Sequence, residues 1–277
     1  MKGTIGGIRR VMEGKPVQLM WTGGWDSTFQ LLRLLLVHGR PVEPVYLIDE
    51  RRGSMAVEIK TMDHLRELLA ERYPHTRTML RPTLYAKVTD LHPDTEIEHA
   101  YQRVVREHPI GTQYGWMARF CRQRGFSNVE IGAEYTYHGA GALLTDRFVE
   151  TTSWSGYTTY KLPETEDPDL RLLFGHYNFP LARTTKFQMR REAELRNWMP
   201  LMTETWFCHS PVNMKPCGTC NPCQSAITEG FGWRIPRGRR VVAGLHRATV
   251  GPVKKTAKRI VQKFRGTYLT PPSATQS

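Results

Sequence analysis

Short apolar runs alternate with longer amphipathic ones along most of this chain, and the alternation predicts its elements. Val17, Leu19, Met20 and Trp21 form the first run and predict a buried strand over 16–21. After a tight turn, Leu31, Leu32, Leu34, Leu35, Leu36 and Val37 predict a helix over 27–38 that is apolar on most sides and closed by Gly39. Residues 42–48 predict a second strand. A strand, a helix and a strand with turn signals between them specify a right-handed crossover and a parallel sheet. Ser54 then opens a helix to about residue 73, with Ala56, Ile59, Met62, Leu65, Leu68 and Leu69 inward.

The pattern continues with a third strand over 79–85, which Pro82 makes either an edge strand or an irregular one. A helix over 112–125 turns Trp116, Met117 and Phe120 inward, and 128–133 is the next strand. Residues 151–160 are β-like, and 170–179 predict a last strand. Thr184 or Thr185 caps a helix through 199 whose apolar residues are Phe187, Met189, Leu195 and Trp198. The succession predicts an α/β fold, a Rossmann-like parallel twisted sheet with helices on both faces. Domain boundaries follow: 1–205 for the sheet domain, 206–231 for a four-cysteine segment and 232–277 for a basic amphipathic tail.

The turn between the first strand and its helix, Thr22-Gly23-Gly24-Trp25-Asp26-Ser27-Thr28, is a candidate anion site. Two glycines let the backbone approach a ligand, and the N–H groups of the helix start lie at its positive end. Phosphate is the expected guest. No lysine follows as in a Walker loop, and no third glycine stands where a dinucleotide fingerprint requires one.

Charge adds a second feature. The net charge is +13, but eleven of the 39 Lys and Arg residues lie from Phe231 onward, where there is no Asp or Glu. The preceding 230 residues hold the other 28 against all 26 acids, a near-neutral body. In the tail, Val253, Ala257, Ile260, Val261 and Phe264 share one helical face, with Lys254, Lys255, Lys258, Arg259 and Lys263 largely on others. Such a helix either docks on the body or binds phosphate. Nucleic acid, through this tail, and a second copy in a homodimer are the candidate macromolecular partners. No apolar run is long enough to span a membrane and the first residues lack a signal-peptide core, so the expected location is cytoplasmic.

Four of the five cysteines crowd together: Cys208, Cys217, Cys220 and Cys223 form a C-x8-C-x2-C-x2-C array. Four thiolates at this spacing satisfy a tetrahedral Zn²⁺ and leave no position for a catalytic water, so the expected site is structural. An iron–sulfur cluster uses the same ligands. Cys121 stands alone on a predicted helix as a small buried residue. His92, Asp94, Glu96, Glu98, His99 and His108 match no ligand spacing and read as a solvated helix.

The run Thr22-Gly23-Gly24-Trp25-Asp26-Ser27 resembles the pyrophosphate loop of the N-type ATP pyrophosphatases, Ser-Gly-Gly-x-Asp-Ser in most members. Joined to the cysteine array it is similar to the 7-cyano-7-deazaguanine synthase family. Pro180-Leu181-Ala182-Arg183-Thr184-Thr185-Lys186 matches that family's Pro-Leu-x3-Thr-Lys segment, and Thr205-Trp206-Phe207-Cys208 its Thr-Trp-x-Cys segment. The resemblance covers roughly 16–231. It implies an adenine-nucleotide hydrolase-like fold and an ATP-dependent carbon–nitrogen ligase. A carboxylate such as 7-carboxy-7-deazaguanine would be adenylated with loss of pyrophosphate and converted by ammonia to an amide with loss of AMP; a second ATP would then activate the amide oxygen, and loss of AMP would leave the nitrile.

The implied cofactors are ATP, Mg²⁺ and Zn²⁺. Thr22, Gly23, Gly24, Trp25, Asp26, Ser27 and Thr28 are the implied nucleotide contacts; Leu47 and Arg51 at and beyond the second strand's end, where open α/β sheets place their ligands, are further candidates, with Arg51 or Arg52 as the arginine to meet phosphate. Asp26, Ser27 and Lys186 are the candidate catalytic residues, since a lysine in a helix's first turn is unfavourable unless it faces an anion. Where the family carries Asp-x-Ser-Gly-Tyr-Pro-Asp-Cys-Arg, this chain reads Gly132-Ala133-Glu134-Tyr135-Thr136-Tyr137-His138-Gly139-Ala140-Gly141. Glu134, Tyr135 and Tyr137 are the substrate candidates there. The departure leaves the acceptor open: a deazaguanine, another carboxylate or a protein terminus. A thiolating tRNA enzyme and a catalytically idle nucleic-acid-binding module are the competing readings.

Overall fold

The computed structural model describes residues 15–135 and 139–245, so the predicted tail helix and Tyr137 lie outside the described residues. Five parallel strands form the main sheet in the order β3-β2-β1-β4-β7: β1 is Val17–Met20, β2 Val42–Ile48, β3 Leu84–Lys87, β4 Val129–Ile131 and β7 Tyr177–Asn178. The α/β class is as the hydrophobic pattern predicts. Strand order reverses between β1 and β4, the switch point at whose carboxyl ends open α/β sheets leave a crevice. An antiparallel hairpin of β5 (Val149–Thr152) and β6 (Thr158–Lys161) forms a separate small sheet.

The first helix, α1, runs over Trp25–Leu32 and continues as a π-helical turn over Arg33–Val37. Leu31, Leu32, Leu34 and Leu35 are all buried, whereas Val37 at the helix end is exposed. Helix α2, Met55–Arg72, follows β2, and β3 is the edge strand that Pro82 leads into. Strand β3 begins later than predicted, because Thr76–Met79 forms a helical turn and Leu80 makes only an isolated bridge to Val42. Helix α3, Thr95–Glu107, is capped by Asp94, which accepts from the Ile97 amide; its histidines and acids do not converge on a metal site. Helix α4 is Gln113–Arg124 and leads into β4.

Two predicted elements are corrected. The strand expected over 170–179 is mostly a helix, α5, Pro168–Phe174, with only Tyr177–Asn178 extended. Asp167 accepts from the amides of Asp169 and Leu170 and Pro168 takes the first helical position, a start signal that outweighs the apolar run. The helix expected through 199 stops earlier: α6 is Lys186–Leu195, opened by a capping box between Thr185 and Gln188. Asn197 adopts φ 57°, which breaks the helix. Of the four apolar residues of the expected helix, Met189 and Trp198 are buried, while Phe187 and Leu195 are 73% and 77% exposed.

A polar cluster lies within this largely apolar sheet. Glu130 on β4 is buried and accepts hydrogen bonds from Gln30 Nε2 at 2.7 Å and from the Tyr157 hydroxyl, and His38 stacks on Tyr157 with ring centroids 4.4 Å apart. Burial pushes the Glu130 carboxyl up to about 7, against the opposing pull of those two donors. The folded state therefore holds this proton more tightly than the unfolded chain does. Its contribution is complete below the ordinary carboxylate range and is lost as pH rises toward 7. Glu130→Gln, which cannot ionise, is expected to raise stability at pH 8 by about 3 kcal/mol, several degrees in Tm, and by much less at pH 5. Thermal melts of both proteins at the two pH values check this; an equal shift at both would contradict it.

The chain divides into two compact units, the first ending at Trp206 and the second beginning at Phe207. In the second, helix α7, Asn221–Thr228, is followed by a helix over 237–245, and Phe231, Ile235 and Ala243 are buried. No helix among the described residues is long and apolar enough to cross a membrane.

Candidate active site

The turn after β1 is built by backbone geometry. Gly23 sits at φ 68°, a region open to glycine, and a Cβ there would stand 3.0 Å from Thr61 Cγ2 on α2. Gly24 caps α1 in extended conformation, so the helix starts two residues earlier than expected. The Thr28 amide makes the first bond of the helical ladder, to Gly24 O at 2.9 Å. The amides of residues 25–27 thus point out of the helix end, where the dipole favours an anion. The Trp206 amide donates to Gly23 O at 2.8 Å, tying the loop to the last residue of the first unit.

The loop opens on a cleft of about 250 Å³ at the carboxyl ends of β1, β2 and β4. Thr22, Gly24, Trp25, Asp26 and Ser27 line one side, Leu47 and Arg52 another, and Gln113 and Trp116 at the start of α4 a third. Arg52 is held there by Glu58 at 3.3 Å and by Ser54 Oγ, to which its Nε donates at 3.1 Å. Glu58 is buried and also accepts from the Tyr46 hydroxyl at 2.9 Å and the Ser54 hydroxyl at 2.7 Å. These partners fix the arginine before any ligand arrives.

Several expected contacts are placed elsewhere. Thr28 is fully buried and accepts from Trp21 Nε1 at 3.0 Å, so its hydroxyl braces the strand against the helix instead of facing the cleft. Gly23 shapes the loop from behind and is not among the lining residues. The Arg51 side chain is 86% exposed and bonds Asp49, so Arg52 is the arginine on the cleft wall. Adjacent residues after a strand point apart, and sequence does not say which one turns inward.

Glu134 and Lys186 are brought together from the exit of β4 and the first turn of α6, with Nζ 2.6 Å from Oε1. The anion expected opposite Lys186 is, in this structure, Glu134. The Tyr135 amide donates to Thr184 O at 3.0 Å, joining the same two segments.

The residue that sequence reading missed is Gly132. A Cβ there would lie 2.7 Å from both Cα and N of Ser27 and 2.8 Å from the carbonyl carbon of Asp26. Only glycine lets β4's exit pass directly beneath the loop. The available signal was its place, immediately after a strand at the sheet's carboxyl edge.

In the second unit Cys208, Cys217, Cys220 and Cys223 converge, with all four sulfurs within 4.8 Å of one another. The Sγ atoms of Cys208 and Cys220 are 3.8 Å apart and those of Cys217 and Cys223 3.9 Å. A tetrahedral ion with metal–sulfur bonds of ~2.3 Å spaces its ligands about 3.8 Å apart, so these thiols fit one ion. A four-iron cube puts each thiolate on its own corner and spaces them more widely. Amides of Cys217, Thr219 and Cys220 donate to sulfurs at 3.2–3.3 Å, which favours thiolates. Cys220 caps α7, and a hydrogen bond from the Cys223 thiol, then backbone donors, pull its thiol below the ordinary range. Cys121 is different: burial pushes it up to about 12 beside the Tyr177 hydroxyl, 3.6 Å away.

No protein-family model matches the chain, and no curated protein matches it. Among solved structures it is similar to the U34-tRNA thiolase NcsA from Methanococcus maripaludis with its 4Fe-4S cluster. The identity is 14% and the TM-score 0.38, over 99% of this chain and 85% of that one. A likeness that slight carries no weight beside the geometry described above.

Proposed function

We propose that the protein is an ATP-dependent ligase of the pyrophosphate-loop type, which adenylates a carboxylate and hands it to ammonia. One observation carries the reading: a strand-turn-helix loop at the sheet's switch point aims the amides of residues 25–27 into a cleft that Arg52 closes from the β2 side. Such a cleft suits a nucleotide triphosphate. An acceptor carboxylate oxygen would bond to the α-phosphorus as the bond from phosphorus to the αβ-bridging oxygen breaks. Pyrophosphate leaves with that electron pair, and ammonia displaces AMP from the acyl-adenylate.

The loop amides, the Ser27 hydroxyl and Arg52 are assigned to the charge on the departing pyrophosphate, and the Glu134–Lys186 pair to the acceptor side. Asp26, the carboxylate on the cleft wall beside the loop, is the residue suited to magnesium accompanying the phosphates. Zinc is the metal that the four-thiol spacing favours, in a closed, structural role. This reading also weighs against tRNA thiolation: with the four clustered cysteines holding one ion and Cys121 buried as a thiol, none would be left to carry a persulfide or to ligate an iron–sulfur cluster. As the acceptor we propose 7-carboxy-7-deazaguanine or a related carboxylate, on the strength of the motif pairing.

The test is pyrophosphate release from ATP and Mg²⁺ with that carboxylate and ammonium, products read by mass spectrometry. Amide or nitrile should form, and Asp26→Ala should lower the rate at least ~100-fold. A folded, metal-loaded protein that leaves the carboxylate unchanged would overturn the acceptor assignment, and one that also fails to bind ATP would overturn the ligase.

A further inference from the structure

We propose that the second unit carries a surface for single-stranded RNA, built from Trp233, Arg237 and Arg240, a binding site independent of the ATP cleft. Between Phe231 and Leu245 there are four arginines and no acid. Arg237, Arg239 and Arg240 form no ion pair among the described residues, whereas Arg103, Arg122 and Arg147 of the first unit each meet a carboxylate within 2.8 Å. The 237–245 helix buries Ala243, while Arg237, Arg240 and Val241, neighbours at i, i+3 and i+4, are all exposed. Their positive charge is offered to solvent.

Two glycines on that helix point the same way. Gly238 and Gly244 have no positive φ, and a Cβ on either would meet nothing within 4 Å. Neither backbone conformation nor packing requires them, yet each weakens a helix by roughly 1 kcal/mol relative to alanine. A helix position without a side chain leaves room for a bulky ligand to approach the backbone. Trp233 is 47% exposed, and its neighbour Arg234 lies over the Phe207 ring, 4.7 Å from the centroid. An exposed indole in the same unit as Arg237 and Arg240, which form no ion pair among the described residues, is the combination that single-stranded nucleic acid uses, bases stacking on the ring and phosphates on the cations. The exposed Val241 and Val242 add apolar surface that a base or ribose contacts and a free phosphate ion does not. The sequence after residue 245 holds seven more basic residues and no acid.

The experiment is anisotropy of a short fluorescent oligouridylate with the full, metal-loaded chain between about 50 and about 200 mM salt. Binding should weaken with a log–log salt slope steeper than about −2. Arg237→Glu with Arg240→Glu should lower affinity at least ~10-fold and flatten that slope by about 1 or more. Trp233→Leu should weaken binding about 10-fold while leaving the slope in place, because stacking releases no counterions. Metal content measured on each variant shows that the unit is folded. No binding at low salt, a flat salt response, affinity unchanged in both variants, or tighter binding to vesicles of anionic phospholipid than to the oligomer would each overturn the proposal.

Discussion

Gly132→Val is expected to abolish ATP binding, weakening affinity at least ~100-fold, with the four cysteines still holding their metal. The atoms that a Cβ would meet are Ser27 Cα and N at 2.7 Å and the Asp26 carbonyl carbon at 2.8 Å. All belong to the backbone of the loop itself, so no side chain can swing aside, and either the helix start or the exit of β4 must shift by about 1 Å. The amides of residues 25–27 would then no longer converge on one point, and misplacement on that scale is enough to lose two orders of magnitude. Gly132→Ala meets the same atoms and should show a large part of the effect. Gly115→Ala is the control, because its Cβ would touch the Tyr101 ring at 3.5 Å, an ordinary contact. Calorimetric titration with ATP and a thermal melt of each protein separate loss of the site from loss of the fold. Normal ATP affinity in Gly132→Val would show that the loop is not the nucleotide site.

Cys217→Ser is expected to release the metal and unfold the second unit while the first remains folded. The protein as isolated should contain one zinc per chain and be colourless. Structural zinc contributes about 10 kcal/mol or more to folding, and the described residues from Phe207 onward bury few apolar side chains, so they hold no comparable source of stability. Cys217 is central to the cluster: its amide donates to Cys208 Sγ, and its own sulfur accepts from the amides of Thr219 and Cys220. Hydrogen exchange should become fast from 207 onward and stay slow in β1, β2 and β4. Cys121→Ser, which alters a buried thiol in the first unit, should keep full metal content. An iron-containing, brown protein would overturn the single-ion reading, and stoichiometric zinc in Cys217→Ser would remove Cys217 from the ligand set.

Much of the site's outline is legible in the sequence because its parts are local. The glycine pair, the strand before it and the helix after it are contiguous, and their conformations follow from glycine backbone freedom and apolar periodicity within about fifteen residues. The cysteine array is local in the same sense: its spacing alone limits the geometries that the thiols can share. The misplaced elements fail for an equally local reason, a competing signal given too little weight. Asp167 and Pro168 start a helix where an apolar run suggested a strand, and Asn197 ends one where the apolar period ran on.

What the sequence could not decide is which way side chains face once distant segments meet. Arg51 and Arg52 are equivalent in sequence, and buried Glu58, on the next helix, selects the second. Thr28 has the hydroxyl that a phosphate site would use, but the Trp21 indole claims it across the strand–helix interface. Gly132 is unremarkable beside the chain's other glycines until β4 passes under Ser27, more than a hundred residues away in sequence. By itself the sequence determined the α/β class, the glycine turn between strand and helix and the four-thiol set, since each depends on backbone preference or spacing over a short span. Only the tertiary structure decided which residues wall the cleft, that Lys186 meets Glu134 and that Gly132 supports the loop, because these depend on contacts whose partners the chain order does not bring together.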